Sequence, residues 1–443
     1  MAQKQEYIAA VDIGTTKIVA LVGRKDADGK LRILGFGKAT SQGVKRGVVL
    51  NIEETANAIS IAVKQAKDAS GIDFKDVYVG IAGQHIKSLK NRHSKYIQGF
   101  DNEIRKEDIE ELTSDMYKIS LEAGEEIIHV IPQNYIVDSE TGIRNPVGMF
   151  GKKLEANFHI VVGQISSAKN INRCIERAGL RVIKLILEPL ASADAILTND
   201  EKEAGVALVD IGGGTTDLAV YYDNTIRHTA VVPFGGNAVT HDIKEGCSIL
   251  QRHAEELKIK YGSALGDLSP VDKVVSIPGI SGREPKEISF RTLAEIIQCR
   301  MEEIIDTIAF EIENSGYINK LGAGIALTGG GAMLKHLPQL VKFKTGLDVR
   351  VGYPKKFISS DGLLQINQPM FSTSVGLLLK GFEYSEMLKE KLAKPNQKTG
   401  ESNENENEEK DDNQGTEIQK ENKFFDKFKK SISGLFDEKD AKL

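Results

Sequence analysis

Two short runs could hold a polyphosphate. Asp12-Ile13-Gly14-Thr15-Thr16-Lys17 lies between two apolar, strand-like segments, IAAV and IVALVG. Glycine admits turn angles and close approach of a ligand. Successive turn amides form an anion-binding hollow, to which two hydroxyls and Lys17 add donors. An aspartate at the strand end is placed to hold Mg²⁺ through water, because Mg²⁺ keeps its waters and takes few carboxylates. Alone, this run reads equally well as a polar β-turn. A second copy, Asp210-Ile211-Gly212-Gly213-Gly214-Thr215-Thr216-Asp217, repeats the strand–Asp–Gly/Thr–strand design. Facing each other across a cleft, the two would clamp phosphates, with Asp12 and Asp210 sharing the metal.

A third run, Leu327-Thr328-Gly329-Gly330-Gly331-Ala332-Met333, follows a strand-like segment and is expected to open a helix, where glycines suit close approach of a nucleotide. It matches neither the phosphate-loop pattern nor GxGxxG. These runs need rigid supports, and the chain supplies them. Short β-rich segments (YIAAVDIG, GVALVDIG, LAVYYD, GIALTG) alternate with helical periodicity (ETANAISIAVKQAKDA, NAVTHDIKEGCSILQRHAEELKIKYG, LAEIIQCRMEEIIDTIAFEIENSG). Such alternation predicts an α/β fold. Each aspartate run opens its own lobe. Residues 84–163, with a helix near Arg105–Leu121 and the alternating runs IIHVIPQNYIV and NFHIVVG, read as a small α+β insertion in the first lobe.

In this order the three runs resemble the phosphate-1, phosphate-2 and adenosine motifs of the actin, heat-shock-chaperone and sugar-kinase ATPases. Leu187-Glu188-Pro189-Leu190-Ala191-Ser192 is similar to the first connecting segment of that superfamily, and the resemblance implies that Glu188 orients an attacking water. Without it, Glu188 is an acid favoured at a helix start. Ala254-Glu255-Glu256-Leu257-Lys258 resembles the helix bracketing the adenosine; otherwise Glu255 and Lys258, at i and i+3, are an ordinary ion pair. Phe371-Ser372-Thr373-Ser374-Val375-Gly376-Leu377 resembles the second connecting segment. The form DIGTTK, the order Gly235-Gly236-Asn237, HDI, AEELK and Tyr261-Gly262, the run IPGISGREPKEIS before LAEIIQCRMEEI, and the inserted module at 84–163 narrow the resemblance: residues 6–385 and the C-terminal segment are similar to the FtsA family of bacterial cell-division proteins.

That resemblance implies two actin-like (ribonuclease H-like) lobes around a nucleotide cleft. The first lobe core takes residues 1–83 and 164–200, closed by 371–393, with a 1C-like insertion at 84–163. The second takes 201–242 and 304–370, with a 2B-like subdomain at 243–303. It also implies ATP and Mg²⁺ as cofactors. Asp12, Gly14, Thr15, Thr16, Lys17, Asp210, Gly212, Gly213, Gly214, Thr215, Thr216, Glu255, Lys258, Gly329, Gly330 and Gly331 would bind the nucleotide. Hydrolysis would be slow, with nucleotide acting mainly as a switch. The implied partners are a tubulin-like FtsZ filament on the 2B-like subdomain, further copies of the chain in a polymer, and septal membrane proteins near the insertion.

The C-terminal end is readable from its own residues. Residues 394–421 hold four Lys against nine acids and one large aliphatic side chain, Ile418, too little apolar surface to offset ordering. They read as a disordered acidic linker. Residues 422–443 read as a basic amphipathic helix. At about 100° per residue, Phe424, Phe425, Phe428, Ile432, Leu435 and Phe436 share an arc of about 120°, while Lys427 and Lys430 lie outside it. That pattern suits a helix lying in the headgroups of an anionic membrane; the other reading is docking in a protein groove. Six such side chains supply at most roughly 9–18 kcal/mol, most of it consumed by ordering about 15 residues. One helix therefore binds weakly, and many on one polymer bind firmly. Together with the family resemblance, this implies a location on the cytoplasmic side of the membrane at the division site.

The net charge of −5 over 443 residues argues against nucleic acid as a partner. Cys174, Cys247 and Cys299 are too scattered for a disulfide framework or a CxxC site and read as reduced core residues. No long apolar run suggests a signal peptide or a membrane span. Rival readings are a small-molecule, sugar-type kinase of the same fold and a pilus-assembly or cell-shape actin homologue. The acidic linker and basic helix fit these less well.

Overall fold

The computed structural model describes residues 6–98, 101–279, 284–354, 358–359 and 364–393. The chain divides into two units, 1–391 and 392–443. The predicted linker (394–421) and amphipathic helix (422–443) lie outside the described residues.

The first lobe opens with a meander of β1 (Ile8–Ile13), β2 (Lys17–Lys25) and β3 (Leu31–Thr40). A short hairpin, β4 (Val44–Lys45) and β5 (Val48–Val49), leads to α1 (Ile52–Ser70) and β6 (Asp76–Ile81). Every residue of β1 is buried, as expected of a strand covered on both faces. The side chain of Asn51 caps α1 by accepting from the amides of Glu53 and Glu54. The chain then leaves the lobe for the insertion: β7 (Lys87–Tyr96), α2 (Lys106–Asp115), β8 (Glu125–Val137), β9 (Glu140–Ile143) and β10 (Lys153–Gln164). These form their own four-stranded sheet, ordered β7-β10-β8-β9, around Leu112, Leu154, Phe158 and Ile160. α3 (Ile165–Arg177), β11 (Arg181–Leu187) and α4 (Glu188–Ile196) return to the lobe.

The second lobe begins with α5 (Asn199–Ala204), then β12 (Val206–Ile211), β13 (Thr216–Tyr222) and β14 (Thr225–Val232). α6 (Gly236–Cys247) and α7 (Gln251–Tyr261) follow, then the hairpin β15 (Val274–Ile277) and β16 (Lys286–Ser289) and the long α8 (Phe290–Asn314). β17 (Ile325–Thr328), α9 (Leu337–Thr345) and β18 (Val349–Val351) complete the lobe, and α10 (Ser372–Ala393) closes the described chain. α8 buries Leu293, Ile297, Met301, Ile304, Ile308 and Ile312, the stripe its periodicity predicts.

The two main sheets are ordered β3-β2-β1-β6-β11 and β14-β13-β12-β17-β18. Each is an antiparallel meander whose first strand pairs in parallel with a later one: β1 with β6, and β12 with β17. The same plan is thus built twice, once behind each aspartate run. This is the α/β, two-lobed architecture expected from the sequence, and Phe371 with Val375, Leu378 and Phe382 of α10 packs into an apolar cluster that takes residues from strands of both lobes.

Three local expectations change. The glycine run after β17 opens a 3₁₀ turn (Gly331–Met333), and the helix starts only at Leu337, after His336 in the left-handed region. The periodic stretch from Asn237 to Gly262 is two helices, broken at Ser248, which is also left-handed. Finally, Cys174 and Cys247 are buried but Cys299 is exposed, so the last is no core residue.

Candidate functional site

Strand pairing places both aspartate runs at the ends of antiparallel hairpins, and the two hairpin turns meet tip to tip. A Cβ on Gly214 would stand 2.5 Å from Thr15 Oγ1, and one on Gly213 would strike the Thr16 side chain. No larger residue allows this approach. Between the lobes lies a cleft of about 540 Å³ including its solvent-open mouth. It is lined by Asp12, Gly14, Thr15, Thr16, Lys17, Glu188, Asp210, Gly212, Gly213, Gly214, Thr215, Gly329 and Gly330, together with Gly47, Ala82, Asp217 and Thr373. Gly329 (φ 83°) needs glycine twice over, since a side chain there would also strike Asp210.

Four predicted site residues are not among the lining. The Thr216 hydroxyl donates to the Phe234 carbonyl at 2.9 Å. Gly331 packs against Ile211. The Lys258 ammonium donates to Gly236 O (2.9 Å), Thr240 Oγ1 (2.7 Å) and Glu255 Oε2 (2.7 Å), fastening α7 to the start of α6.

Four carboxyls converge on the cleft. The Asp12 Oδ2 accepts from Ser374 at 2.6 Å. The Asp210 Oδ2 accepts from Ser192 at 2.7 Å and from Thr373 at 3.0 Å. Burial raises the pKa of both aspartates, and Lys17 and these hydroxyls only partly offset it. Glu188, the first residue of α4, is pushed well above the usual carboxylate range by burial and then by the charges of Asp12, Asp217 and Asp210. Asp217 is raised to about 8, by burial and the neighbouring Asp210, and its Oδ1 is buried without a hydrogen-bond partner. A cluster of acids facing a single lining lysine is suited to a cation that arrives with its own ligands. Among the described residues no group of three or more His, Cys, Asp or Glu is arranged to hold a metal ion by itself.

Sequence reasoning gave no site role to Asp217, Ser192, Thr373 or Ser374. For Asp217 a signal existed: it is the cross-strand partner of Asp210, and paired residues share a face of the sheet. The hydroxyl of Ser192 comes from α4, 18 positions before Asp210, and those of Thr373 and Ser374 come from α10, 163 and 362 positions from the carboxylates they serve.

Two five-stranded lobes of one plan, closed on a polar cleft by facing hairpins, define an actin-like protein. Solved structures share the fold: a chain in the "PilM-PilN type IV pilus biogenesis complex" (TM-score 0.63, 15% identity, 84% of this chain and 98% of that one) and MreB 5 of Spiroplasma citri bound to AMPPNP (TM-score 0.51, 15% identity, 88% and 99%). A sequence profile described as "Cell division protein FtsA" matches residues 207–376, and one described as "SHS2 domain inserted in FTSA" matches 83–162. The chain is 40% identical over 382 residues to cell division protein FtsA of Pseudomonas aeruginosa (86% of this chain, 90% of that protein). It is 36% identical over 390 residues to that of Escherichia coli K12 (86% and 92%). The chain belongs to the FtsA family, and it is an actin-like cell-division protein.

Proposed function

We propose that this protein uses ATP with Mg²⁺ as a conformational switch, polymerises on the inner face of the cytoplasmic membrane and anchors a tubulin-like FtsZ filament there, recruiting later septal proteins. The observation that carries the nucleotide part is the meeting of two Gly/Thr hairpins over buried acids. The turns at Gly14–Lys17 and Gly212–Thr215 would hold the phosphates, and Asp12 and Asp210 would hold hydrated Mg²⁺, which supplies charge neutralisation when bound. Asp217, with Oδ1 buried and unpaired, would join them as a further acceptor. Glu188 is placed to orient water.

The membrane part rests on the sequence of residues 422–443. Among the described residues no helix is long and apolar enough to cross a bilayer. Co-sedimentation of the full chain with anionic vesicles, with and without MgATP, tests it. The full chain should pellet, more so with MgATP, and a version ending at residue 421 should stay in solution. Equal pelleting of both would refute the anchor. A pull-down from dividing cells should bring down a tubulin-like filament protein. ATP turnover strongly stimulated by a metabolite would instead favour a kinase.

A further inference from the structure

The insertion belongs covalently to the first lobe, yet it touches both walls of the cleft. On the first-lobe side, His129 of β8 accepts a hydrogen bond through Nε2 from the Leu187 amide at 3.0 Å, one residue before Glu188. On the second-lobe side it sits on β14, the edge strand of that sheet. Ser88 of β7 donates to the Thr229 carbonyl at 3.1 Å, His159 of β10 meets Thr229 Oγ1 at 2.9 Å, and Gln133 of β8 donates to the Ile226 carbonyl at 2.7 Å. Val161 and Ile226 share one buried apolar cluster beneath these bonds.

Strand β14 leads directly to the phosphate hairpin. It pairs with β13 so that Val231 lies opposite Asp217 and Val232 opposite Thr216. Its continuation is bound to the turn itself: Gly236 N donates to Gly212 O at 2.9 Å, and Asn237 N to Gly213 O at 2.7 Å. A shift of β14 against the insertion is therefore a shift of the Gly212–Thr215 turn against Asp12 and Glu188.

We infer that the inserted subdomain is a two-point clamp on the cleft, held beside Glu188 through His129 and seated on the second lobe at Thr229. Release at Thr229 frees the lobes to part and the nucleotide to leave. This rests on the nucleotide reading above and assigns its regulation. By linkage, a partner that binds the seated insertion tightens nucleotide binding, and nucleotide tightens that partner equally. A partner that prefers the lifted insertion does the reverse.

The test is a reversible lock in the full chain. Ser88→Cys and Thr229→Cys, with the exposed Cys299→Ser, put two thiols where two hydroxyls now touch. Dissociation of a fluorescent ATP analogue should slow by about fivefold or more on oxidation, the low end of usual coupling strengths, and recover with dithiothreitol. In the opposite direction, Gln133→Ala with Thr229→Val should speed release by a similar factor. Equal rates for locked and reduced protein overturn the clamp. Amide hydrogen exchange decides it independently of ligand: the release variant should exchange faster at residues 212–216, and unchanged exchange there also overturns it. A chain that retains no analogue at all counts against the ATP reading, with the exchange result still ruling on the clamp.

Discussion

Ser374 donates its hydroxyl to Asp12 at 2.6 Å across 362 positions of sequence, so the last described helix completes the carboxylate at the end of the first strand. Both groups are buried. Leaving a buried acceptor short of a charged-group hydrogen bond costs about 1–3 kcal/mol. Ser374→Ala should therefore lower the urea midpoint at unchanged denaturant slope, and weaken MgATP binding as well. A midpoint equal to that of the unchanged protein would show that the bond contributes nothing.

The touching hairpins make a second prediction. In Gly213→Ala the added methyl meets the Thr16 side chain, and the two turns must separate. The affinity for MgATP should fall about tenfold or more, equivalent to about 1.4 kcal/mol. Adding Thr16→Ser, which removes the struck methyl, should restore part of it. Failure of that rescue would place the fault elsewhere in the turn.

Protons should report the cation. Asp217 is raised to about 8 and Glu188 is pushed above its ordinary range, so near neutral pH Asp217 holds a proton. A divalent cation favours the charged carboxylates, and its binding should release on the order of one proton. Titrating Mg²⁺ into the ATP-loaded protein in buffers of different ionisation enthalpy measures that number. Asp217→Asn should lower it; an unchanged count would remove Asp217 from the cation's surroundings.

Acid should loosen the insertion. Burial, with Lys184 and Lys380 nearby, lowers the His129 pKa from 6.5 to about 3; burial, then His228 and Lys90, lowers that of His159 to about 4. Between its two values each histidine is protonated in the unfolded chain and neutral in the folded one. Stability is then fully present above about 6.5 and falls with pH, by about 1.4 kcal/mol per pH unit for each group. The raised cleft acids Asp217 and Glu188 work in the opposite direction, gaining stability as pH falls, so the histidine part is read as the difference in urea midpoint between the unchanged protein and a histidine variant at about pH 5 and about pH 7.5. His129→Gln, whose amide oxygen can take the place of Nε2 without titrating, should flatten that slope by one proton. An identical slope would exclude His129 as its source.

The fold was legible because its evidence is local. A buried strand ending in Asp, a Gly/Thr turn and a second strand form a complete hairpin within about ten residues, and the chain wrote it twice. Helix starts were harder. Gly329–Gly331 looked like a helix opening, but His336 and Pro338 move the start to Leu337. Ser248 broke a helical period that contains no proline. The hydroxyls of Ser192, Thr373 and Ser374 could not be assigned from spacing, because only the tertiary fold brings α4 and α10 to the aspartates. His129 and His159 were invisible for a related reason: a histidine in an alternating strand reads as sheet surface until a second sheet covers it.

The place of α10 also sets an order of events during synthesis. The first lobe begins with the first strand to leave the ribosome, but the apolar cluster it shares with β12 and β13 lacks Phe371, Val375 and Phe382 until nearly four hundred residues have been made. The second lobe and the insertion have all their strands earlier. Domains fold as units as they emerge, so the first lobe, started first, is finished last. Until then Asp12 lacks its Ser374 partner. A nascent or truncated chain that stops before α10 lacks the hydroxyls of Thr373 and Ser374 that meet Asp210 and Asp12, so the cleft is completed only after α10 has been made.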